Sequence, residues 1–139
     1  MREAARTVLL VEDEPLVLRS TAELFAEDGY RVLEASSYDE ALEQLGTCPD
    51  VAALVTDIGI SGDRDGIALT RAVRERCPQV RIVLVSGRTR PRGDQYPADA
   101  IFFTKPYAPS ALLTVVRQSI DGELEPRAPA FEMDGARLA

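Results

Sequence analysis

Val51-Ala52-Ala53-Leu54-Val55-Thr56-Asp57 is an apolar run that ends on a carboxylate. It reads as the most continuous buried strand of the chain, over 51–56. The glycines behind it (Gly59, Gly62, Gly66) predict a loop from Asp57 to Gly66. The same arrangement recurs elsewhere. Val8-Leu9-Leu10-Val11 leads to Glu12-Asp13, Ile82-Val83-Leu84-Val85 leads to Ser86, and Ile101-Phe102-Phe103 leads to Lys105-Pro106. If these runs are parallel strands of one sheet, their polar sites meet at its carboxyl edge, where open α/β sheets bind ligands. Carboxylates, a hydroxyl and an ammonium gathered there suit a divalent metal and a phosphoryl group.

The intervening segments read as helices. Glu14 to about Asp28 repeats Val17, Leu18, Thr21, Leu24 and Phe25 on one face, and Gly29 ends it. Residues 31–35 alternate as an edge strand does. Ser37 caps a helix from about Tyr38 to Leu45, with Gly46 as its stop. Ile67 to Arg76 turns Leu69, Ala72 and Val73 inward, and Cys77-Pro78 closes it. Strands follow at 81–85 and 100–104, then a last helix at 110–120 carrying Leu113, Val116 and Ile120. Between those strands, Gly87, Pro91, Gly93 and Pro97 leave room for only a turn or two of helix. Strand and helix thus alternate to the end of this region. The pattern predicts an α/β fold, a doubly wound five-stranded parallel sheet covered on both faces, with a short or irregular fourth helix. Phe102 and Phe103 must face opposite sides, so one of them is expected to be partly exposed.

Residues 121–139 break the alternation with five acids, two arginines and two prolines. A disordered acidic tail is expected. The functional alternative is a short docking segment that uses Phe131 and Met133.

The chain has 139 residues, enough for one domain with a real core. No apolar run reaches the ~20 residues that span a bilayer, and the N-terminus lacks a secretory apolar segment. A cytoplasmic protein without membrane contact is the expectation. The net charge of −7 gives no general attraction to nucleic-acid phosphates. The arginine groups at 71, 74 and 76 and at 88, 90 and 92 read as a solvated helix face and a loop. There is no histidine, which excludes histidine triads, histidine zinc sites and an internal phosphohistidine. Cys48 and Cys77 each precede a proline and read as reduced structural thiols.

Taken singly, each polar site is ordinary. Glu12-Asp13-Glu14-Pro15 is a helix cap with first-turn acids, and Asp57, Ser86-Gly87 and Lys105-Pro106 are turns. Taken together they assemble a phosphoryl-transfer centre. Asp57 is the nucleophile. Asp13 with Glu12 suits Mg²⁺, or Mn²⁺, which offsets repulsion between that carboxylate and an anionic donor. Lys105 and Ser86 supply a charge and a hydroxyl for the remaining phosphoryl oxygens.

Val-Glu-Asp-Glu-Pro at 11–15, Val-Thr-Asp-Ile at 55–58, Ser86-Gly87 and Phe-Phe-Thr-Lys-Pro at 102–106 together resemble a two-component response regulator receiver domain, over about residues 6–120. The resemblance implies a flavodoxin-like strand order 2-1-3-4-5, which periodicity does not supply. It implies Asp57 as phosphoacceptor, Glu12 and Asp13 as the acidic metal pair, and the Gly59 carbonyl as a further metal ligand. Ser86 then hydrogen-bonds the phosphoryl group, Lys105 pairs with it, and the Lys105–Pro106 bond is cis. Phe102 takes the place of the switch aromatic, turning inward as Ser86 moves toward the phosphoryl group. Gly59 and Arg88 stand where side chains tune phosphoryl lifetime.

Some features depart from the pattern. Ile60-Ser61 replaces a Met-Pro pair, and Asp65-Gly66 arrives one residue late, so the loop is longer. The expected domain is 1–120, with 121–139 as tail, acting as a stand-alone receiver because so short a polar tail cannot fold into a DNA-binding domain. It is not an enzyme beyond assisting its own phosphorylation and dephosphorylation. Its expected partners are a histidine kinase or hybrid kinase/phosphotransfer protein and a downstream protein, with no direct nucleic acid. A monomer or weak homodimer is expected. Two alternatives are a receiver-like docking module that is never phosphorylated, and an aspartyl phosphatase. Glycine at 59 counts against the second, because it removes the proton-transfer acid.

Overall fold

A computed structural model describes residues 6–46, 50–60, 62–87 and 95–122, and the backbone of 131–133. Alternating patterns become β1 (Thr7–Val11), α1 (Pro15–Glu27), β2 (Arg31–Ala35), α2 (Tyr38–Gly46), β3 (Val51–Asp57) and α3 (Gly66–Arg76). They continue as β4 (Arg81–Ser86), β5 (Ile101–Thr104), α4 (Pro109–Ile120) and β6 (Phe131–Met133). Strands β1 to β5 lie in the order 2-1-3-4-5, every neighbouring pair parallel.

The side-chain period of two divides the core into two layers. Leu9, Leu54, Ile82, Leu84 and Phe102 pack toward α2 and α3 through Ala41, Leu45, Leu69 and Val73. Val8, Leu10, Val55, Val83 and Phe103 pack toward α1 and α4 through Phe25, Leu112 and Val116. Both faces are therefore closed, and continuous apolar runs follow from that.

Phe102 and Phe103 are both buried, at 2% and 0% exposure, so neither is partly exposed as the sequence suggests. Phe102 stacks on Tyr96 with centroids 6.0 Å apart, and Phe103 meets Tyr107 at 5.2 Å. Alternation sends them to opposite faces, and an aromatic neighbour covers each.

The helix ends show how local chemistry sets the boundaries. Glu14 caps α1 by backbone position only and makes no side-chain capping bond, while Pro15 takes the first turn. The donor Glu14 N–H is instead satisfied by Glu12 Oε1 at 3.1 Å. Ser37 Oγ accepts from Glu40 N, and Glu40 Oε1 accepts from Ser36 N, a reciprocal cap on α2. Asp65 caps α3 by accepting from Ala68 N at 3.0 Å.

The C-terminal segment also differs from expectation. Residues 131–133, assigned by sequence to a disordered tail, form β6 alongside β5 as a sixth parallel strand. The expected fourth helix falls largely on residues outside those described, as do Arg88 and Cys48. Among the described residues from 95 to 100 there is no helix. Cys77 is a free thiol, half-buried against the α2–α3 layer. Among the described residues, no helix is long and apolar enough to cross a membrane.

Candidate functional site at the carboxyl edge

Parallel strands deliver Glu12, Asp57, Ser86 and Lys105 to one edge because each sits at or just past the end of its strand. Asp57 closes β3, its side chain only 14% exposed. Lys105 Nζ donates to Asp57 Oδ2 at 2.6 Å, and the Gly59 amide donates to Oδ1 at 3.1 Å. Both carboxylate oxygens are thus oriented by charge-assisted bonds.

Glu12 faces Asp57 across the edge. Burial raises its pKa from 4.5 to about 7, and the adjacent Asp57 carboxylate adds to the rise. The Glu14 amide and Lys105 pull the other way. Beneath this pair lies a cavity of about 20 Å³ lined by apolar side chains such as Leu10, Leu18, Val55 and Val85. Burial of this kind disfavours the charged form of a carboxyl group. Lys105 experiences the opposite balance. Burial lowers its pKa, but the hydrogen bond and charge of Asp57 outweigh this and hold the ammonium above its ordinary range. Tyr107 is also pushed up, chiefly by burial.

Asp13 follows Glu12 on the same turn and is exposed. Ser86 closes β4 at 6% exposure, and its carbonyl accepts from Lys105 N at 3.0 Å. The Lys105–Pro106 peptide is cis. Gly59 is exposed, and a Cβ built there meets nothing within 4 Å. Phe102 stands on β5, three residues before Lys105, packed inward. Arg88 lies outside the described residues.

The donor set fits a hard divalent cation. Two carboxylates in contact, one of them held toward its protonated form, form a site that a cation relieves. Among the described residues no group of three or more acidic, histidine or cysteine side chains closes around one point. Mg²⁺ keeps several waters and is held by one or two carboxylates, which Glu12 and Asp57 can supply.

Sequence reasoning gave two glycines no role that the geometry gives them. A Cβ at Gly66 would lie 2.1 Å from the Asp57 carbonyl oxygen, and the Gly66 amide donates to Ile58 O at 2.8 Å. The start of α3 is therefore pressed against the strand end that bears Asp57. A Cβ at Gly87 would lie 3.1 Å from Lys105 Cβ, so Gly87 makes room for the lysine stem. The sequence carried no signal for this role of Gly66, which closes the predicted loop 57–66 just ahead of the predicted helix.

An open groove of about 710 Å³ adjoins the site between the start of α1 and residues 105–109. Leu16, at 77% exposure, and Val17 stand on its α1 side, with Lys105, Pro106 and Tyr107 opposite.

Comparison with known proteins agrees with this geometry. The family described as the response regulator receiver domain matches residues 8–117. The receiver protein from Sinorhizobium medicae superimposes with a TM-score of 0.78 at 30% identity, covering 86% of this chain and 98% of that one. Sensor kinase CckA of Brucella abortus is 36% identical over 121 residues, which is 83% of this chain and 12% of that protein. Transcriptional activator protein ExaE of Pseudomonas putida is 34% identical over 122 residues, 83% of this chain and 55% of that protein. The chain thus spans about an eighth to about half of the length of these two curated relatives. With its fold, its carboxyl-edge cluster and this match in hand, the chain belongs to the response regulator receiver domain family of two-component signalling.

Proposed function

We propose that this receiver takes a phosphoryl group onto Asp57 from a phosphohistidine of a partner protein, and signals by the change this makes at the carboxyl edge. In the transfer, the donor N–P bond breaks and an Asp57 Oδ–P bond forms. The leaving imidazole regains its proton from solvent. The observation that carries the proposal is the arrangement around Asp57, with Lys105 Nζ at 2.6 Å on one side and the Glu12 carboxylate on the other. Lys105 supplies positive charge to the incoming oxygens, and the Gly59 amide holds the acceptor carboxylate in position.

Glu12, Asp13, Asp57 and the Gly59 carbonyl are the groups that would hold Mg²⁺. The ion would neutralise charge shared between carboxylate and phosphoryl oxygens. Ser86 accommodates the new phosphoryl group. Phe102 is already packed inward against Tyr96, so the proposed switch reduces to Ser86 moving beside an aromatic that is in place. Gly59 leaves the site open to water on its side, which favours hydrolysis of the acyl phosphate.

The partner is a histidine kinase or a phosphotransfer protein, as the similarity to sensor kinase CckA suggests. The apolar groove beside Lys105 gives such a donor a surface within reach of Asp57. The receiver is a signalling module whose only catalysis is on itself.

Acetyl phosphate with graded Mg²⁺, followed by prompt quenching and mass spectrometry, tests the proposal. One phosphoryl adduct on Asp57, absent in Asp57→Ala, is expected. No adduct at any Mg²⁺ concentration would leave a docking module that is never phosphorylated.

A further inference from the structure

The family match ends at residue 117, yet the sheet continues. β6 pairs in parallel with β5, with Ile101 opposite Phe131, Phe102 opposite Glu132 and Phe103 opposite Met133. Three residues of pairing are held by a ten-residue connection from Asp121 to Ala130. So short a strand adds few ladder bonds, and closing its loop costs conformational entropy.

β5 has support apart from β6. Its two phenylalanines are buried on opposite faces, and its inner edge is paired to β4 from Ile101 through Thr104. The outer edge thus offers a row of backbone donors and acceptors on a strand already anchored on its other side. Such an edge binds an extended segment by adding it as a strand.

We propose that the outer edge of β5 is a docking edge for one extended segment, and that residues 131–133 are its occupant, held in cis and releasable without unfolding the sheet. The same segment supplied in trans takes the same place when the edge is free. The inference rests on strand pairing and stands apart from any chemistry at Asp57.

A chain ending after Gly122 provides the free edge. It retains the whole region covered by the family, and the Sinorhizobium medicae structure shows that a chain of nearly that extent folds. The probe is a synthetic peptide of residues 128–136, with a scrambled peptide as control. The peptide is expected to bind the shortened chain at least about tenfold more tightly than it binds the full chain. Amide hydrogen exchange at 101–104 is expected to quicken on shortening and to slow again with the peptide.

Two substitutions in the full chain serve as an independent arm. Alternate amides of a strand face its neighbour, so one of Glu132→Pro and Met133→Pro removes a pairing amide. That variant should show the faster β5 exchange with unchanged far-ultraviolet circular dichroism. Self-association of the shortened chain that is reversed by the peptide supports the proposal equally. Identical β5 exchange in the full chain, both proline variants and the shortened chain overturns it, as does peptide binding no better than the scrambled control.

Discussion

Lys105 Nζ, just past the end of β5, stands 2.6 Å from Asp57 Oδ2 at the end of β3, reaching over the end of β4 that lies between them. The pair is partly exposed, so it contributes modestly to stability. Its larger effect is on Asp57, whose carboxylate also faces that of Glu12.

Lys105→Met keeps the length of the side chain and removes the charge. Acyl phosphate formation from acetyl phosphate at saturating Mg²⁺ should slow about tenfold, equivalent to about 1.4 kcal/mol of transition-state stabilisation. Initial rates by quenched mass spectrometry check this. An unchanged rate would remove Lys105 from the chemistry.

Glu12 sets a pH signature in metal-free buffer. Its pKa rises from 4.5 to about 7 on folding, so the folded protein holds a proton that the unfolded chain releases. Its contribution to stability is greatest below pH 4.5 and declines as pH climbs toward 7. Glu12→Gln lacks this decline. Urea denaturation should show the variant gaining on the wild type as pH goes from about 4.5 to about 7. Mg²⁺ should reverse the order above pH 7, since it stabilises only the carboxylate form.

Gly66→Ala drives a methyl group into the Asp57 carbonyl, where the approach would be 2.1 Å. Backbone must shift, and a loss of about 1–3 kcal/mol is expected. Gly59→Ala meets nothing within 4 Å and should stay within about 0.5 kcal/mol of wild type. The two variants also separate in chemistry. Gly59→Ala should lengthen phosphoryl lifetime by narrowing the approach for water, while Gly66→Ala should impair loading. Thermal melts and phosphate-release assays distinguish these outcomes.

Phe102→Ala empties a fully packed place against Tyr96 and should cost about 3–5 kcal/mol. Phe102→Tyr asks the layer to bury a hydroxyl and tests whether the inward pocket is closed. Chemical denaturation gives both values. A loss below about 1 kcal/mol for the alanine variant would mean that the ring contributes little to the core.

The strands were legible because each is a run of apolar residues with turn formers behind it. The cluster was legible because polar residues of the right kinds closed those runs. Strand order was not, since periodicity assigns faces and not neighbours, and it entered through resemblance. Phe131 and Met133 stood out as a candidate docking segment, but the β6 pairing was not legible, because three residues in a polar, proline-containing stretch carry no period. That Phe102 and Phe103 are both buried also escaped, Phe103 being the clearer case. Alternation gives its face, but its cover comes from Tyr107 and α4, whose packing is a tertiary fact. Gly66 and Gly87 looked like ordinary punctuation because their value is room for Asp57 and Lys105, which only proximity in space reveals.

The ribbon bearing Phe102 and Phe103 is four residues long, with one ring anchored above it and the next anchored below. Tilting or sliding it by a fraction of a residue would disturb both helical layers in a single stroke. Since the ribbon runs straight into Lys105, a charge captured at the rim, as proposed, would have a mechanical lever reaching the two sides of the protein.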